Sequence, residues 1–292
     1  MSDNLLSGLE KLGLDVSGMD NLFGEEKKVE KKEEKVEVPV DNTPKETEFL
    51  LEKSIRCPMC EKVFKTINIK SARARRLGAD PDLRPRYEYV DPTKYDVDSC
   101  PFCGYTAIGR FFPGENLTSI QRKALEEGVC DKLRKYINEA PPLPETYTYD
   151  EAIERYKLAL YNAMVKNAKT SEKAYTCLKI SWLMRGKVEE LEAAEQKDEA
   201  LIASTKEEES KFYQQAYDGM TKALSSENTP ICGMDQSTVE YLLAQMAFKL
   251  KRYTESSRLV SNILVSQAAG NNVKNKARDL KDELVAAIKA GK

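Results

Sequence analysis

Two short runs carry the chemistry most plainly offered by this sequence, Cys57-Pro58-Met59-Cys60 and Cys100-Pro101-Phe102-Cys103-Gly104. Two thiolates separated by two residues can face one centre from a tight turn. Two such turns supply four ligands at the tetrahedral angles that Zn(II) accepts. Proline after the first cysteine fixes φ, and Gly104 can adopt the positive φ with which such a turn rejoins its strand. Glu61 stands where the second run has Gly104, so the same backbone there would carry about 1 kcal/mol of strain. The expected cofactor is a structural Zn(II) on Cys57, Cys60, Cys100 and Cys103. With four protein ligands it keeps no open position for activating water. Iron can use the same four thiolates. A dithiol redox site uses only one CxxC and leaves the duplication unexplained.

Four thiolates on Zn(II) carry a net charge of −2, which Arg56, Lys62 and Lys65 beside the first run can screen. Further along, Lys62, Lys65, Lys70, Arg73, Arg75 and Arg76 fall within fifteen residues that contain no acid. They form a candidate phosphate-binding strip, hence a nucleic-acid contact. The alternative is a solvated loop neutralised by Asp80, Asp82, Asp91, Asp96 and Asp98. Tyr87, Tyr89 and Tyr95 either pack a small core, with Arg84 and Arg86 stacked on them, or stack on bases.

The chain has 292 residues and no histidine, which removes Ser-His-Asp and Cys-His nucleophile pairs, His bases and His metal ligands together. No catalytic constellation remains, and no enzyme activity is expected. Lys and Arg total 46 against 48 Asp and Glu, so no global field draws the molecule to nucleic acid. No run approaches the roughly 20 apolar residues that span a bilayer. The start, Met1-Ser2-Asp3-Asn4, lacks the order of a signal peptide. The expected location is the cytoplasm, where Cys130, Cys177 and Cys232 remain thiols, the first two buried on helices and the third exposed in a turn beside Gly233.

The elements that position the cysteines follow from texture. Residues 1–48 read as a disordered leader, a short Leu/Phe motif followed by a linker whose like charges recur four apart. Residues 49–115, rich in proline and alternating stretches, read as strands and loops of a four-cysteine zinc-ribbon-like module. The segment 61–99 is longer than a minimal ribbon needs and implies an elaborated loop between the pairs. Residues 116–144 read as a connecting helix with a Thr118/Gln121 capping box and an interruption at Gly128, then a Pro-rich connector.

Residues 145–290 read as tetratricopeptide-like helices. The pattern appears around Tyr149–Leu160, at Ala174–Gly186, at Phe212–Leu224 across a charged stretch 187–211, and as a pair over Tyr241–Val260. It is degenerate, with Ser256 where the pattern wants Ala and Lys251 where it wants Gly. The fold expected is mainly α, a small α+β head followed by a helical repeat.

Together Cys57–Cys60, Arg84-Pro85-Arg86-Tyr87, Pro92 with Tyr95-Asp96-Val97, and Cys100–Tyr105 resemble an uncharacterised bacterial family, a domain of unknown function. Its members carry paired CPxC and CPxCGY knuckles and a tetratricopeptide-like C-terminal half. The likeness covers residues 50 to about 265 and implies architecture without an activity. From the parts, the expected function is a zinc-binding interaction or adaptor protein whose helical surface takes a protein or peptide partner. Nucleic-acid binding through 62–76, or thiol and zinc redox sensing, is the alternative.

Overall fold

The computed structural model describes residues 43–134 and 142–291. The Leu/Phe motif, the charged linker to residue 42, and Pro141 lie outside the described residues. Within the segment read as a leader, the described residues include a 3-10 turn, Glu46–Phe49, in which Glu46 pairs with Lys94 at 2.8 Å.

Three antiparallel hairpins follow, each a separate two-stranded sheet. In the first, β1 (Leu50–Arg56) pairs with β2 (Val63–Ile69), with Arg56 opposite Val63 at its end. In the third, β5 (Val97–Ser99) pairs with β6 (Thr106–Ile108), with Ser99 opposite Thr106. The two CxxC runs are therefore the end loops of two like hairpins. Between them lies the expected elaboration, the hairpin of β3 (Arg76–Ala79) and β4 (Pro85–Tyr87). A 3-10 turn, Pro92–Tyr95, follows it, with the Thr93 amide donating to its capping Asp91 at 2.9 Å.

The Thr118/Gln121 capping box opens α1 (Ser119–Leu125) as its spacing requires. The helix then widens into a π turn, Glu126–Cys130, before α2 (Asp131–Leu133). Gly128 sits in that turn because α3 (Tyr149–Val165) passes close by, and a Cβ there would meet Val165 at 2.6 Å. The interruption is a packing device more than a helix end. On α3, Ala152, Ile153, Tyr156, Ala159 and Ala163 recur at helical spacing and are all buried.

The remaining helices are α4 (Thr170–Ala193), α5 (Glu199–Ser226), α6 (Gln236–Lys249), α7 (Tyr253–Val265) and α8 (Asn271–Lys289). The charged stretch 187–211 is mostly helical, the end of α4 and the start of α5. Asp198 caps α5 by accepting from the Leu201 amide at 2.9 Å, and Lys206 reaches Glu192 across the pair at 2.7 Å. The structure is mainly helical. A small antiparallel-strand module with the cysteine cluster precedes a helical C-terminal region, and from Pro44 onward the chain packs as one compact unit.

Candidate metal centre

Each CxxC loop is closed by the same two backbone bonds. In the first, Cys57 donates to Lys62 O and Glu61 to Cys57 O; in the second, Cys100 donates to Tyr105 O and Gly104 to Cys100 O, all at 2.9 Å. The residue after the second cysteine is left-handed in both, with φ of 60° at Glu61 and 77° at Gly104. The loops are thus equivalent in backbone and differ in surroundings. Leu133 covers the second so closely that a Cβ on Gly104 would meet its Cδ1 at 2.1 Å. Glu61 is exposed, and Arg56 Nε donates to its carbonyl at 3.0 Å.

Facing one another, the loops bring four sulfurs together. The Sγ atoms of Cys57, Cys60, Cys100 and Cys103 all lie within 4.8 Å of one another. The Cys57–Cys103 and Cys60–Cys100 pairs stand at 3.6 Å. A disulfide needs about 2.05 Å, and all four cysteines are free. Ligand bonds of about 2.3 Å in a tetrahedron place sulfurs about 3.8 Å apart, so the cluster has the size of a four-thiolate site. The group can hold a metal ion.

Hydrogen bonds from Cys100 and Cys103 bring the Cys57 thiol down to about 2 against the pull of burial. Its thiolate also accepts from the Met59 amide at 3.4 Å. Cys100 gains from a hydrogen bond with Cys103, but its bond to Cys57 and burial outweigh that and push it up to about 12. Cys103 is raised far above a normal thiol by hydrogen bonds with Cys100, Cys130 and Cys57. A cation among the sulfurs would favour the thiolate form against the hydrogen bonds and burial that raise Cys100 and Cys103.

Several residues with no local sequence signal hold the loops. Arg122 on α1 donates to Pro58 O at 2.7 Å and to Gly114 O at 2.8 Å, clamping the first loop. Asn162 on α3 accepts from the Thr106 amide at 3.4 Å behind the second. Leu125, Val129 and Cys130 pack in one cluster with Cys57, Cys100 and Cys103. The segment read as a connecting helix is thus a wall of the site. Cys130 and Cys177 are buried as expected, whereas Cys232 is half-buried in its turn and its thiol donates to Ser171 O at 3.5 Å.

The basic strip is spread along β2 and the second hairpin. Lys62 lies over the Phe102 ring at 4.8 Å, Lys65 pairs with Glu52 at 2.7 Å, and Lys70 donates to Glu48 O at 3.1 Å. Arg75 pairs with Glu88 at 3.4 Å, Arg76 donates to Gly78 O at 3.3 Å, and Arg73 is exposed. Asp80, Asp82 and Asp96 pair with Arg86, Arg185 and Lys179 in place of the strip. Arg84 and Arg86 do not stack on tyrosines; both reach Glu189 on α4, at 3.1 and 2.6 Å. No helix among the described residues is long and apolar enough to cross a membrane.

A family model described as "Uncharacterized protein conserved in bacteria (DUF2225)" matches residues 50–284. No curated protein and no solved structure matches the chain.

Proposed function

The chain belongs to the DUF2225 family of uncharacterised proteins conserved in bacteria, and from that premise we propose that it is a cytoplasmic zinc-stapled interaction protein. A structural Zn(II) on Cys57, Cys60, Cys100 and Cys103 holds the head, and the helices behind it offer a tetratricopeptide-like surface to a protein or peptide partner. The observation that carries the reading is the sulfur geometry, four thiols from two like loops within 4.8 Å. All four tetrahedral positions are filled by protein, so the ion is a staple and not a catalyst.

The repeat reading is supported where its pattern was weakest. Ser256, in place of the small Ala, is fully buried and donates to Ala244 O at 2.7 Å, so it still admits the neighbouring helix. Lys251, in place of Gly, has the left-handed φ of 60° that the turn requires. Zn(II) is favoured over iron because a closed four-thiolate site without redox work suits a d10 ion.

The test is the metal content of the purified chain beside a Cys57→Ser, Cys100→Ser variant. One zinc per chain, absent from the variant, is expected, whereas a metal-free wild type contradicts the staple. Partner capture from native cytoplasm, with nuclease and with Arg73, Arg75 and Arg76 reversed to Glu, separates the protein reading from the nucleic-acid one. Protein capture that survives both treatments supports an adaptor. Salt-dependent RNA or DNA binding that the reversal removes supports the strip instead.

A further inference from the structure

A cavity of about 260 Å³ opens between the second hairpin, the 3-10 turn after it, and helices α3 and α4. It is distinct from the sulfur cluster and plays no part in the metal reading. A single water takes about 30 Å³ of liquid, so the space admits a molecule of several atoms.

Three cations line it, Arg84, Arg86 and Lys94, together with three carboxylates, Glu46, Asp91 and Glu189. Arg86 grips Glu189 as a fork, Nη1 to Oε2 at 2.6 Å and Nη2 to Oε1 at 2.7 Å, while Arg84 Nη1 reaches Oε1 at 3.1 Å. Two guanidinium groups from the hairpin therefore already seat one carboxylate. The Arg84 side chain is only 3% exposed, yet its Nε has no hydrogen-bond partner in the protein. A buried guanidinium N–H without an acceptor is disfavoured, so Arg84 is not fully satisfied by the protein around it.

The charges of the six residues cancel, and an incoming anion must displace a carboxylate. Asp91 is held by the Tyr149 hydroxyl at 3.3 Å and by Arg84, and Glu46 by Lys94. Glu189 has the most exposed side chain of the three, at 40% against 12% for Asp91 and 25% for Glu46. It is the one with the most open path into water, although it must give up its bonds to Arg86 and Arg84 to an anion that replaces them. We propose that the cavity binds a small oxyanion, a carboxylate or a phosphate, which Arg84 and Arg86 hold in the place that Glu189 now fills. Glu189 is then an internal competitor, and occupancy loosens the tie between the hairpin and α4.

The experiment titrates the full, metal-replete chain with inorganic phosphate and, in a separate arm, with acetate, by isothermal titration calorimetry at low ionic strength. One-to-one binding of at least one anion is expected, and the stronger arm identifies the class. Glu189→Gln, which keeps the shape and removes the competing charge, tightens it by about tenfold. Arg86→Gln abolishes it, with metal content and circular dichroism checked against wild type. Should that variant misfold, the Nε–H resonances of Arg84 and Arg86 in wild type serve instead, and they shift on addition of the binding anion. Absence of binding in both wild type and Glu189→Gln, undiminished binding in a folded Arg86→Gln, or unmoved arginine resonances at saturation each overturns the proposal.

Discussion

Glu61 and Gly104 hold the same position in two like loops, and their surroundings decide what each tolerates. Glu61 bears about 1 kcal/mol of left-handed strain, and glycine there would lose about as much in unfolded-chain entropy, so Glu61→Gly should leave stability nearly unchanged. Gly104→Ala adds that strain and drives a methyl into Leu133. Overpacking brings the sum to at least about 2 kcal/mol. Thermal melts of the metal-loaded variants check the contrast, and equal effects would mean that Leu133 does not cover the loop. The convergence of the four cysteines was legible because CxxC spacing is local, as was the left-handed glycine. Leu133, Arg122, Asn162 and Cys130 were not, because each meets the loops only through tertiary packing.

At the level of elements, the tie between the second hairpin and the helices is ionic and buried. Arg185 on α4 holds Asp82 by a fork at 2.7 and 3.1 Å, and the Trp182 indole donates to the same carboxylate at 3.3 Å. Burial would raise the Asp82 carboxyl, but Arg185, with Lys249 and Trp182, holds it below the usual carboxylate range. Glu189 is likewise lowered, by Arg86 and Arg84 against burial. A folded pKa below the unfolded one gives stability that is full above the unfolded value, about 3.9 for Asp, and is lost as pH falls through the folded value.

Asp98 and Glu172, raised by burial, have the opposite sign and lose their contribution as pH rises through their folded values. The Asp82 contribution therefore has to be read as a difference. Asp82→Asn should cost about 3 kcal/mol near neutrality by stranding Arg185, and the gap to wild type should shrink below about pH 4. Melting curves from pH 6 to 2 measure it, and a constant gap would contradict the pairing. None of these ties could be read from sequence, since Asp82 and Arg185 are 103 residues apart. The helices could, because the Thr118 cap and the apolar spacing of α3 are local. The charged ends of α4 and α5 carried no repeat pattern because cross-pair ions such as Lys206 with Glu192 replace an apolar stripe there.

For the whole molecule, the cysteine cluster is not an isolated head. Leu125, Val129 and Cys130 share its core, while Val97 and Ile108 pack with Ile153, Tyr156, Ile180 and Leu183 of α3 and α4. Metal removal should therefore expose amides in both cysteine hairpins and in α1 and α2, and weaken protection at the start of α3. The core of Leu242, Leu243, Val260 and Ile263 should stay protected. Hydrogen exchange with and without chelator reads this directly. Loss confined to residues 49–115 would mean that α1 stands independently, and collapse through α8 would mean that the metal organises the entire chain.

The most direct measurement is X-ray absorption at the metal edge of the protein as purified, with the metal quantified per chain. One zinc surrounded by four sulfur scatterers at about 2.3 Å is the result this account requires. Nitrogen or oxygen in that shell, fewer than four sulfurs, or a folded chain with no bound metal would contradict it.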